Sequence, residues 1–145
     1  MKKQSKLRRL VFVPMSADFL HFGHINLLLK ANKYGKVIVG LMTDKGIYSY
    51  KKKNPFFSYK HRKKTLEQLK LVTKIVPLNG LEYVDMTKKF KFKYFVHGDD
   101  WKRGPQSLER KKLISAMKEW GGKVIEPKYT KGISSSIIKK LIKFR

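Results

Sequence analysis

The sequence predicts an α/β fold: one Rossmann-like domain with a five-stranded parallel sheet covered by helices on both faces. Three observations predict it. Apolar strand-like runs alternate with helical patterns along the whole chain. The strongest runs, Leu10-Val11-Phe12-Val13 and Val37-Ile38-Val39-Gly40-Leu41-Met42, are continuously apolar, as strands buried on both faces are. The chain has 145 residues and 41% hydrophobic residues, which suits one ordinary globular core spanning 1–145. Residues 1–8, basic and weakly patterned, read as a tail.

Residues 8–15 read as the first buried strand and 16–21 as a loop. Residues 23–34 read as a helix with Ile25, Leu28 and Leu29 on one face and Gly35 as its C-cap. A second strand follows at 36–42, then a long basic loop at 43–57. Ser58 is an N-cap for a helix running to about Leu71. Residues 74–77 form a short strand, 83–90 a short helix and 93–97 a strand. Gly98 opens a loop to Pro105, with φ > 0 accessible to it. A helix at 106–120 closes at Gly121-Gly122, the last strand covers 123–126, and Ser134 caps a final helix. In a parallel sheet the loops 16–24, 43–57, 98–105 and 127–134 all leave the carboxyl edge, where such sheets bind ligands.

Composition narrows the function classes. The absence of cysteine excludes disulfides and cysteine-ligated zinc and fits a reducing compartment. No apolar run approaches the roughly 20 residues that span a bilayer, so no membrane partner is expected and a cytoplasmic protein is the plain inference. The formal net charge is +25, from 35 Lys and Arg against 10 Asp and Glu. Such a field attracts polyanions. Only six of the basic residues are arginine, whereas nucleic-acid readers favour arginine for bidentate contacts. Lysine on exposed faces therefore accounts for much of the charge.

Four constellations carry chemistry. His21-Phe22-Gly23-His24 follows a strand and opens a helix, an arrangement whose backbone N–H groups and dipole suit an anion. Its histidines are read as donors to the oxygens of a nucleoside triphosphate, against a metal pair or purely structural side chains. Asp18, three residues earlier, either orients His21 or holds the turn. Lys51-Lys52-Lys53 is a mobile cationic loop able to close over phosphates, or a solvated surface run. Arg62, one turn into the next helix, adds a bidentate phosphate contact. His97-Gly98-Asp99-Asp100-Trp101 holds two adjacent acids that bind Mg²⁺ or brace a turn. Tyr129-Thr130-Lys131-Gly132-Ile133-Ser134-Ser135-Ser136 offers glycine then serines at a helix start, a second anion site.

These residues resemble the cytidylyltransferase branch of the nucleotidyltransferase superfamily that carries an HxGH signature. Asp18 to His24 matches the first signature, and Gly132 to Ser136 the second, usually written Arg-Thr-Glu-Gly-Ile-Ser-Thr-Thr. Tyr59-Lys60-His61-Arg62 and Gly98-Asp99-Asp100-Trp101 match the glycerol-3-phosphate cytidylyltransferase pattern in order and spacing, and the likeness runs from about residue 9 to 142. Met15-Ser16-Ala17-Asp18, Leu41 to Lys45, His97 to Lys102 and Glu126 to Ser135 look most like the cytidylyltransferases of phosphonate pathways. Tyr129 stands where the second signature usually has arginine, and Met15-Ser16-Ala17 where the first usually has Gly-Thr-Phe.

The resemblance implies transfer of CMP from CTP to a small phosphonate or phosphate monoester, 2-aminoethylphosphonate foremost, with release of pyrophosphate. It implies His21, His24, Lys51 and Lys53 as the catalytic set. Ser16, Ala17, Gly23, Arg62, Asp99, Tyr129, Thr130, Gly132, Ile133, Ser134 and Ser135 are the implied nucleotide contacts. Mg²⁺ is the implied cofactor, with Asp18 and Asp99 near it, and a homodimer the implied assembly. Tyr83, Asp85 and Trp101 are available to meet an amino group of the acceptor. The competing readings are a glycerol-3-phosphate, phosphocholine or phosphoethanolamine acceptor, an ATP-using adenylyltransferase, and a non-catalytic nucleic-acid-binding protein.

Overall fold

A computed structural model describes residues 9–143, and all that follows concerns those residues. Five parallel strands form one sheet in the order β3-β2-β1-β4-β5: β1 Leu10–Met15, β2 Lys36–Met42, β3 Lys74–Leu78, β4 Tyr94–Val96 and β5 Lys123–Ile125. Six α-helices accompany them: α1 Phe22–Asn32, α2 Asp44–Lys51, α3 Tyr59–Glu67, α4 Tyr83–Phe90, α5 Ser107–Met117 and α6 Ser135–Lys143. The expected basic tail and the expected strand start at Arg8 lie outside the described residues.

The alternation of β1 explains the two cores. Val11, Val13 and Met15 face one side with Leu28 and Ala31 of α1 and Leu66 of α3. Phe12 faces the other with Tyr83 of α4 and Leu113 and Met117 of α5, stacked on Phe92 at 4.7 Å between ring centroids. Both faces are thus covered, which is why the strands read as uninterrupted apolar runs.

The chain reverses its winding between β1 and β4, and the two strands pair only at Val11–Tyr94 and Phe12–Phe95. Beyond that point stands Pro14, which has no N–H to donate. A crevice therefore opens at the carboxyl edge between β1 and β4, the switch point at which such sheets take ligands.

Three expectations are corrected. The loop expected at 43–57 contains α2. Its glycine and sparse apolar residues hide it, but Thr43 accepts from the Gly46 N–H at 3.0 Å and Ile47 is buried. Gly46 also lets the helix press on the turn after β3, where an added Cβ would lie 2.8 Å from the Leu78 oxygen. The helix capped by Ser58 stops at Glu67, and Leu69, Leu71 and Val72 continue to the core as turns. Lys33, not Gly35, caps α1.

Candidate active site

A cleft of about 320 Å³ lies at the crevice, lined from both ends of the sequence. The β1–α1 turn contributes Ser16, Ala17, His21, Gly23 and His24. The β5–α6 segment contributes Tyr129, Thr130, Ile133, Ser134, Ser135 and Ser136. The two signatures meet directly: Asn26 Nδ2 lies 3.5 Å from Thr130 Oγ1, and Ser135 Oγ lies 3.5 Å from the Phe19 oxygen.

The histidines cap their own helix. The Gly23 N–H donates to His21 Nδ1 at 3.1 Å, and the His21 N–H donates to His24 Nδ1 at 3.1 Å. This reciprocal cap has the logic of a capping box with imidazoles in place of hydroxyl and carboxylate. Its chemical consequence is a fixed tautomer. Each Nδ1 accepts, so each neutral ring carries its proton on Nε2. Burial lowers the His21 pKa, while burial and then the neighbouring His21 push His24 down to about 4. At neutral pH the pair therefore offers two Nε2–H donors, with ring centroids 4.0 Å apart. Gly23 is required by space: a Cβ there would lie 2.8 Å from His21 Cε1.

Stability should report the burial of these neutral rings. The folded pKa of His24 lies below its ordinary 6.5, so the unfolded chain takes up the proton first. The contribution is complete above about pH 6.5 and is lost as pH falls towards 4. Burial-depressed His21 and His97 act in the same direction. The thermal midpoint is expected to fall across that window, and the deficit of His24→Asn relative to wild type to shrink with it. A pH-independent deficit would contradict burial of a neutral His24 imidazole.

Asp18 does not orient His21 and is not free for a metal. Its carboxylate accepts from the Phe56 and Phe57 N–H groups, both at 2.9 Å, and pairs with Lys139 of α6. Burial raises its pKa, but Lys139 and the two N–H groups outweigh this and leave it lowered. Asp18 thus holds the turn, the alternative reading of that residue.

Arg62 does not reach the cleft. It is 1% exposed, and its guanidinium donates to the carbonyls of Phe57, Ser16 and Met42 and to Asp44 Oδ1, at 2.7 to 2.9 Å. The expected phosphate contact is instead a brace that ties the loop after β1 to the end of β2.

Asp99 also stands outside the cleft, and its Oδ1 accepts from the Tyr129 N–H at 2.9 Å. It positions the second signature, while Asp100 is the acid that lines the cleft. Gly98 has φ −58 and does not use the left-handed region. Gly132 does, at φ +83, turning the chain into α6 without lining the cleft. Ser134 Oγ accepts from the Ile137 N–H at 3.1 Å, the cap expected there. Lys51 lines the cleft beside Tyr50, whose hydroxyl lies 3.3 Å from Ser16 Oγ; Lys53 is exposed and does not line it.

A second part of the cleft wall is supported by Trp101. Glu126 accepts from Trp101 Nε1 at 2.7 Å and from Arg110 Nε and Nη2 at 2.7 and 2.9 Å. His97 stacks on the indole at 4.0 Å and 11°. Its Nδ1 lies 2.8 Å from the Gly98 oxygen, which can only accept, so Nε2 keeps its lone pair. Tyr83 and Gln106 complete this wall. Asp85 lies elsewhere, between α4 and α5, and Trp101 is buried, so neither faces an acceptor. The contributions of Asn26, Tyr50 and Gln106 have no counterpart in the sequence reading, because single polar residues on helices carry no spacing signal.

The described residues contain no group of three or more His, Asp or Glu able to hold a metal ion. Asp18 is committed to N–H groups and a lysine, which leaves Asp100 as the carboxylate that lines the cleft.

Residues 13–141 match the family model described as cytidylyltransferase-like. The chain belongs to that family. It is a cytidylyltransferase, a CTP-dependent nucleotidyltransferase. It is 36% identical over 125 residues to the glycerol-3-phosphate cytidylyltransferase of Bacillus spizizenii, covering 85% of this chain and 88% of that one. It is equally 36% identical over 124 residues to that of Staphylococcus aureus, covering 84% and 86%. The fold is shared with the lipopolysaccharide core biosynthesis protein of Thermoplasma volcanium, at TM-score 0.67 and 22% identity over 86% of this cytidylyltransferase and 98% of that chain.

Proposed function

We propose that the enzyme transfers CMP from CTP to a small anionic phosphonate or phosphate monoester. An acceptor oxygen attacks the α-phosphorus, the bond to the β-phosphate oxygen breaks, and pyrophosphate leaves. The observation that carries this reading is the pair of Nε2–H donors fixed at one helix start, in the same cleft as a second helix start at Ser134–Ser136. Neutral donors held in place stabilise charge developing on phosphate oxygens without reorganising. The acceptor arrives ionised, so positioning is needed more than a base. Lys51 adds a point charge at the cleft wall. Mg²⁺ enters with the triphosphate rather than in a protein cage, as Mg²⁺ commonly does. Homodimeric assembly remains part of this proposal, on the family likeness alone.

Among acceptors, Asp100 favours one bearing an amino group, 2-aminoethylphosphonate foremost. Its carboxylate lines the cleft with 53% of the side chain exposed and no bound N–H group of the backbone. The names of the relatives favour glycerol 3-phosphate instead. Pyrophosphate release with CTP and each of 2-aminoethylphosphonate, phosphocholine, phosphoethanolamine and glycerol 3-phosphate separates them, with ATP, GTP and UTP as nucleotide controls. Asp100→Asn is expected to raise KM for the aminophosphonate about tenfold, the worth of one charged contact, and to leave KM for glycerol 3-phosphate unchanged. Equal effects on both acceptors would remove the amino group from the reading, and preference for ATP would remove CTP.

A further inference from the structure

The cleft draws on both faces of the sheet. Helices α1 and α6, which carry the two signatures, sit on the face whose core includes Leu28 and Leu66, and Ile138 of α6 lies beside Leu66. Tyr83 and Trp101 belong to the core of the other face, under α4 and α5. The His97 ring packs against both of them, at 6.4 and 4.0 Å between centroids. His21 and His24 offer donors to the cleft, whereas His97 offers an acceptor. Its Nδ1 gives a proton to the Gly98 oxygen at 2.8 Å, and its Nε2 has no hydrogen-bond partner among the described residues. No buried side-chain nitrogen or oxygen among those residues lacks a partner, so Nε2 is open, and the ring lines the cleft. Asp100 stands beside it, with Oδ1 3.9 Å from Nδ1.

We infer that His97 is a specificity residue for the acceptor, its Nε2 accepting an N–H from a primary ammonium held by Asp100. This rests on the amino-bearing acceptor proposed above. A primary ammonium brings three N–H donors and no acceptor. One carboxylate leaves it incompletely bonded once water is excluded. A neutral imidazole lone pair supplies a second seat without placing another negative charge beside the phosphonate. The stack on Trp101, at 11° between planes, and the bond to Gly98 fix that lone pair before substrate arrives. The indole is itself held by Glu126 at 2.7 Å. A trimethylammonium keeps the positive charge but has no N–H to give. It satisfies Asp100 and leaves Nε2 unpaired, and a site built to hydrogen-bond a substrate group rejects the analogue lacking it. His97 thereby separates 2-aminoethylphosphonate and phosphoethanolamine from trimethylated acceptors such as phosphocholine, a distinction that the charge of Asp100 does not make.

The test is pyrophosphate release by the full chain with CTP and either 2-aminoethylphosphonate or its N,N,N-trimethyl analogue. The wild type is expected to favour the primary amine in kcat/KM by at least about tenfold, the worth of one hydrogen bond to a charged group. His97→Phe keeps a flat ring on Trp101 and removes the lone pair. It should raise KM for the primary amine about tenfold, leave kcat nearly unchanged and leave KM for the trimethyl analogue where it was. His97→Gln, whose amide oxygen reaches the place of Nε2, should restore most of the selectivity. His97→Asn reaches only the place of Nδ1 and should not, and this pair decides the matter if His97→Phe does not fold. An equal rise in KM for both acceptors would make His97 a mere support of the wall and overturn the inference. So would a wild type that uses both acceptors equally well. Turnover of glycerol 3-phosphate alone would remove the amino-bearing acceptor, and this inference with it. Turnover of the aminophosphonate that responds to Asp100→Asn but not to the His97 variants would remove His97 only.

Discussion

His24→Ala is expected to lower kcat at least about a hundredfold, with KM for CTP changed only a few-fold. The first part rests on what a preorganised donor contributes when charge develops in the transition state, about 10²–10³ in rate. The second rests on selectivity. A donor whose bond strengthens only as pyrophosphate departs affects kcat and kcat/KM alike and leaves substrate affinity nearly intact. The same substitution removes Nδ1, the acceptor of the His21 N–H. That N–H sits at the start of α1, and loss of a cap costs about 1 kcal/mol. A stability measurement beside the kinetics separates the two contributions: the thermal midpoint should drop modestly while turnover collapses. Turnover near that of the wild type would remove His24 from the mechanism.

Arg62→Ala is expected to destabilise the fold by about 3 kcal/mol, because three carbonyl oxygens each lose a donor at about 1 kcal/mol or more. The guanidinium satisfies three carbonyls from three segments and Asp44 besides. Removing it leaves the Ser16, Met42 and Phe57 oxygens without that donor in the interior. Arg62→Lys should recover only part of the loss, because one ammonium cannot reproduce the fork. Denaturant unfolding measures this directly. A contact with phosphate would instead leave stability intact and raise KM for CTP, and that result would overturn the brace. The Asp44 partner is 47% exposed, so Asp44→Ala should cost far less.

The fold was legible because buried parallel strands leave a signal in each segment separately. Continuous apolar runs and their turns gave all five strands and placed their loops on one edge. Helix α2 was not legible, since its formation depends on Gly46 meeting the backbone after β3, a contact between segments about thirty residues apart in sequence. The same division holds for the site. Both signatures announced themselves, because a helix start rich in glycine, serine or histidine has a local composition. Arg62, Asp18 and Asp99 have the residue types of ligands and the positions of braces. Their partners are backbone groups, which every residue has, so no spacing distinguishes the two roles. His97 shows the converse: its place in the cleft comes from Trp101, Glu126 and Arg110, three residues in three segments.

The meeting of Ser16–His24 with Thr130–Ser136 also orders events during synthesis. β1 and α1 emerge from the ribosome early, and the sheet can begin to grow from β1 and β2. The cleft stays half-walled until the serines of α6 have followed, more than a hundred residues later. A nascent chain therefore has no complete nucleotide site and cannot use CTP as a folding template. The ligand can stabilise only a chain in which both segments have folded, so nucleotide-dependent stability sets in with Ser134–Ser136 rather than growing with chain length.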